Sequence, residues 1–155
     1  MNLVLSILEK EKFEYPKSLA LEESKTKFKE ILEEYFQGKL EFNAACFKIE
    51  SEVKTPFDYK KIKNWGERLL RTESSKLFTL GYGDYLLSKD ETTCFIPNHN
   101  LGEEADCLRI IVGKEFLIKE IQDNIYKNYS LENARFPTVP LHANCRHIIS
   151  SVNTK

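Results

Sequence analysis

Between Ser18 and Gln37 the apolar positions recur at helical spacing. Phe28, Ile31, Leu32, Tyr35 and Phe36 fall at i, i+3, i+4, i+7 and i+8. That stripe predicts an amphipathic helix, and Gly38 is a natural place for it to stop. A second helix is expected over Leu40–Val53, with Phe42, Cys46 and Ile49 on one face. The best-marked helix opens at "TPFD". Thr55 is a capping residue type, Pro56 suits the first helical position, and Asp58 favours the positive helix end. It then carries Ile62, Trp65, Leu69, Leu77 and Leu80. Gly81 and Gly83 either end it or let another backbone approach closely.

After Lys89 the pattern changes. "TTCFIPN" alternates over a short span and reads as a strand. "GEEADCLRIIVGKEFLI" admits two readings: a short helix with acidic residues in its first turn, then the strand "KEFLI", or a hairpin turning at Gly113-Lys114. The acidic start fits the first better. "EIQDNIYKNY" is weakly helical, "FPTVP" is extended, and "HIISSV" is a final strand. A helical first half packed on a small mixed β-containing region defines an α+β class. The expected division is a helical arm over residues 1–53 and a domain over 54–155, the two forming one compact unit overall.

Composition changes this picture little. At 155 residues, 41% hydrophobic and 30% charged, the chain is ordinary for a globular protein and long enough to fold without cross-links. A net charge of −1 excludes bulk attraction to nucleic acid or anionic lipid. Locally, residues 54–76 hold Lys54, Lys60, Lys61, Lys63, Arg68, Arg71 and Lys76 against Asp58, Glu67 and Glu73. This basic stretch reads either as a solvated helix face or as a surface for phosphate or an acidic partner. Weak nucleic-acid contact through the 54–76 face, which salt would weaken steeply, is a third reading. The apolar run Leu3–Leu8 is too short for a signal-peptide core and has no basic residue before it. Nothing else approaches a membrane span. The expectation is a cytoplasmic protein without membrane contact, its four cysteines reduced.

Candidate chemistry concentrates in "PLHANCRH", residues 140–147. His142 and Cys145 have an H-x-x-C spacing that one tight turn can bring together. His147, two residues past Cys145, faces the same side if the chain is extended. Cys107 can supply a fourth ligand, so Cys107, His142, Cys145 and His147 form a candidate zinc set, with Cys94 and His99 in reserve. The alternative is no cofactor: buried apolar thiols, and histidines bonded to backbone carbonyls. Catalysis by Cys145 lacks an identifiable oxyanion loop or orienting Asn or Asp. A nuclease or toxin site using Arg146, His147 and His142 has suitable residue types but no supporting spacing. "GYGD" lacks the length and lysine of a phosphate-binding loop.

Three segments in order carry a resemblance. They are "RTE" (Arg71, Thr72, Glu73), a Cys107 segment running to Gly113, Lys114 and Phe116, and an ending with Pro140, His142, Asn144, Cys145, Arg146 and His147. Together they resemble the C-terminal domain of phage Mu F-like minor head proteins, over about Trp65 to Val152. Two positions depart from that pattern: Glu104 stands where many relatives have the first cysteine of C-x-x-C, and Ala143 replaces a proline.

The resemblance implies a structural and interaction protein of tailed-phage or prophage head morphogenesis. Such a protein associates with portal or capsid proteins, stays in the host cytoplasm until incorporated into the procapsid, and is no enzyme. Arg71, Glu73, Gly113, His142, Cys145, Arg146 and His147 then serve as structural motif residues. A buried Arg146–Glu73 ion pair is expected, and Trp65, Phe78 and Phe116 are expected to fill the core. The small nuclease or toxin domain is the alternative.

Overall fold

The computed structural model describes residues 3–9, 19, 21–54, 63–99, 105–125, 127–128, 134–142 and 145–154. Among them the α+β class is observed, as six α-helices and one three-stranded antiparallel sheet. The chain divides into two compact units, Met1–Ser74 and Ser75–Lys155. The Thr55, Pro56 and Asp58 start signal, with Ile62, lies outside the described residues.

The first unit is helical. α1 spans Leu3–Glu9, α2 Glu22–Phe36 and α3 Phe42–Glu52, and both α1 and α3 pack on α2. The spacing that predicted α2 is the spacing it buries: Phe28, Ile31 and Leu32 are fully enclosed. Ala45 and Ile49 face inward from α3, while Phe42 and Cys46 are only half-buried. Gly38 ends α2 as expected, at φ 77°. Its N–H donates to Tyr35 O at 3.1 Å, and that of Lys39 to Glu34 O at 2.9 Å. This double return satisfies carbonyls that the helix end would otherwise leave open.

α4 runs from Trp65 to Ser88. Near its start Gly66 lies against α3, where a Cβ would sit 2.7 Å from Cys46 O and 2.6 Å from Glu50 Cγ. Only the absence of a side chain permits that approach. The basic stretch is not a continuous exposed face. Lys76 is 3% exposed, Lys54 pairs with Glu23 at 2.8 Å, and Arg71 is half-buried. Arg71 Nε donates to Glu67 Oε1 at 3.0 Å, and its guanidinium lies 4.5 Å from the centre of the Phe42 ring. Lys60 and Lys61 lie outside the described residues.

The second unit begins within α4, which continues through Gly81 and Gly83 instead of ending there. Gly83 instead lets α6, Ile118–Asp123, approach: a Cβ would meet Gln122 Nε2 at 2.6 Å and Ile118 Cγ2 at 3.1 Å. The buried Gln122 amide donates to Leu80 O at 3.0 Å and Asp84 Oδ1 at 2.9 Å. The sheet has the order β2-β1-β3, with β1 at Thr93–Phe95, β2 at Glu115–Leu117 and β3 at Ser150–Ser151. Cys94 in β1 pairs with Phe116 on one side and Ser151 on the other. Of the two readings of residues 102–118, helix then strand is observed. α5 covers Ala105–Ile110, and Gly113 at φ 72° turns the chain into β2. Ile96, Ile111, Ile118, Ile121 and Leu141 are fully enclosed in the core, with Phe116 packed partly buried against it. Trp65 is buried in the first unit, but Phe78 is only half-buried.

Candidate functional site

His142 and Cys145 are brought together as their spacing predicts: Cys145 N–H donates to His142 O at 3.3 Å. From Cys145 the chain runs extended toward β3, and burial alternates residue by residue. Cys145, His147 and Ile149 are 5%, 4% and 1% exposed, whereas Arg146 and Ile148 face outward. A period of two is the geometry of extended chain, so Cys145 and His147 share the inner face. Cys107, on α5, is 1% exposed.

These elements converge. The ligand-type atoms of Cys107, Cys145 and His147 all lie within 4.8 Å of one another. Cys145 Sγ is 3.5 Å from His147 Nδ1. His142 adds its Nε2 at 3.2 Å from Cys107 Sγ, across 35 positions of sequence. Three of the four candidate zinc residues thus lie together, and His142 meets that group at Cys107. Of the reserve pair, Cys94 is buried in β1 and outside this group, while His99 stacks its ring on His147 with centroids 4.3 Å apart. All four cysteines are free thiols.

The enclosed thiols of Cys145 and Cys94 differ in their electrostatics. The Cys107 hydrogen bond holds the Cys145 thiol down to about 4, helped by bonds from the His147 and Leu141 backbone and the His147 ring, against the upward push of burial. At Cys94 burial is the cause that acts, and it pushes the thiol up to about 11. A thiolate held by donors beside two imidazoles is a donor set for a soft or borderline metal ion.

The remaining motif residues divide. Gly113 performs the turn its position implies. Arg146, expected to be buried in an ion pair with Glu73, is exposed, whereas Glu73 is 2% exposed. Once Cys145 and His147 face inward, the residue between them must face out. Asn144, Ala143 and Glu104 lie outside the described residues.

Spacing gave no notice of Asn128, which organises the segment leading into the cluster. Its Oδ1 accepts from the N–H groups of Arg135 (3.0 Å) and Phe136 (2.9 Å), and its Nδ2 donates to Phe136 O at 2.7 Å. Asn124 and Thr138 add further ties, to Pro137 O and from Thr138 Oγ1 to Ile121 O. No helix among the described residues is long and apolar enough to cross a membrane. No family model, curated protein or solved structure matches the chain.

Proposed function

We propose that the chain is a structural and interaction protein of tailed-phage or prophage head assembly, a minor head component that associates with portal or procapsid. The observation that carries this reading is the convergence of Cys107, His142, Cys145 and His147. These residues belong to the segments on which the head-protein resemblance rests. Three of the four are buried, in the manner of residues that hold a fold together. The protein resides in the host cytoplasm until it is assembled.

The nuclease or toxin alternative requires Arg146, His147 and half-buried His142 to act on one substrate. Arg146 and His147 alternate along the chain, one exposed and the other 4% exposed. A general base must reach the proton it removes, and His147 is enclosed. Co-expression with the genes that flank it, followed by sedimentation, tests the proposal. The chain is expected in the portal or procapsid fraction, with no turnover of DNA, RNA or NAD. Hydrolysis abolished by His147→Ala in a chain that still folds would replace this reading with the alternative.

A further inference from the structure

We propose that Cys107 Sγ, His142 Nε2, Cys145 Sγ and His147 Nδ1 together hold one structural zinc ion. This goes beyond the head-component reading and is tested separately from it, because metal content is measured on the isolated chain.

The geometry is the first argument. Tetrahedral zinc with Zn–S of about 2.3 Å and Zn–N of about 2.0–2.1 Å sets its sulfur and nitrogen ligands about 3.6 Å apart. Cys145 Sγ and His147 Nδ1 are separated by 3.5 Å, and Cys107 Sγ and His142 Nε2 by 3.2 Å. The first matches an edge of that tetrahedron, and the second is a few tenths of an ångström short. The ligand atoms of Cys107, Cys145 and His147, within 4.8 Å of one another, can close to such edges by small rotamer adjustments.

Charge is the second argument. Each cysteine gives up its thiol proton to solvent as its Zn–S bond forms, so two protons leave and one Zn²⁺ enters. Two thiolates, two neutral imidazoles and Zn²⁺ sum to zero. A neutral centre suits an enclosed site, where an uncompensated charge is costly.

The fourth ligand is His142 rather than His99. An imidazole binds a metal in the plane of its own ring, along the nitrogen lone pair. His99 lies stacked on His147, at 4.3 Å between centroids and 30° between planes, and so flanks the ring instead of pointing at the same ion. His142 enters from the turn and already touches Cys107. The ion ties α5 to the terminal segment and closes a loop of some 35 residues, a gain that grows with loop length.

The test uses the full chain without a histidine tag, expressed with added zinc, and reads elemental content and Co²⁺ substitution. One zinc per chain is expected. Co²⁺ should give the intense visible bands of a tetrahedral site and a near-ultraviolet thiolate-to-metal band. His142→Ala should lower zinc affinity by about 10-fold or more, while His99→Ala retains one equivalent. Chelation should lower Tm by about 10 °C. The Co²⁺ titration of the unaltered chain needs no variant, so a misfolded mutant leaves the answer intact. Substoichiometric zinc with no thiolate band would overturn the proposal. Loss of metal in His99→Ala with retention in His142→Ala would overturn the ligand assignment.

Discussion

Gly83→Ala is expected to destabilise the protein, although helix propensity alone argues the reverse. Alanine in a helix interior is favoured over glycine by about 1 kcal/mol. Here the added Cβ would lie 2.6 Å from Gln122 Nε2 and 3.1 Å from Ile118 Cγ2. The Gln122 amide must then leave Leu80 O and Asp84 Oδ1, losing two hydrogen bonds of about 1 kcal/mol each. Crowding of Ile118 adds about 1–2 kcal/mol. The losses of about 3–4 kcal/mol exceed the gain, for a net cost of about 2–3 kcal/mol. Urea denaturation followed by far-ultraviolet circular dichroism measures it, and a Tm lower by about 6 °C should accompany it. In the double variant Gly83→Ala with Gln122→Ala the Gln122 clash is gone and only the crowding of Ile118 remains, so its cost should fall below the sum of the singles by more than about 1 kcal/mol. A Gly83→Ala chain as stable as the parent, or more so, would refute the packing of α4 on α6 described above.

Other positions give equally definite expectations. Gly66→Ala would push a Cβ to 2.7 Å from the Cys46 carbonyl, a backbone atom that cannot swing aside. Its cost should be about 2–3 kcal/mol by the same urea titration. Asn128→Ala removes three hydrogen bonds from the 134–136 segment and should cost about 2–3 kcal/mol. Asn128→Asp, which keeps the acceptor but loses the donor to Phe136 O, should fall between the two. Cys94 is raised from 9.0 to about 11 by burial, so the folded state holds its thiol neutral after the unfolded thiol has ionised. The associated stability, about 3 kcal/mol at most, is fully present below pH 9 and is lost as pH rises toward 11. Cys94→Ala should flatten that decline in a pH series of urea midpoints.

Some of this fold is legible in the sequence, for identifiable reasons. α2 and α3 are long enough for a period of 3.6 to repeat, and Gly38 marks the stop between them. The three strands are two or three residues each, too short for alternation to set their ends, so "TTCFIPN" and "HIISSV" overreach Thr93–Phe95 and Ser150–Ser151. The cluster is legible because H-x-x-C followed by x-H encodes a turn and then extended chain. The outward position of Arg146 is written in that same pattern, and the expected pair with Glu73 overlooks it. Buried Lys76 and Gln122 are not legible, since charged and amide side chains are mostly exposed and only tertiary packing encloses them. Asn128 acts through hydrogen bonds to loop backbone, which leave no periodic trace.

Native-state alkylation of the four cysteines tests most directly whether the cluster is closed structure or open chemistry. Cys145 has the lowered thiol, so it would be the first to react if a reagent could reach it. The account predicts that iodoacetamide at pH 7.5, read by peptide mass spectrometry, labels half-buried Cys46. Cys107 and Cys145 should stay protected by about 100-fold or more relative to the urea-unfolded chain. Rapid labelling of Cys145 in a chain whose circular dichroism remains native would contradict it.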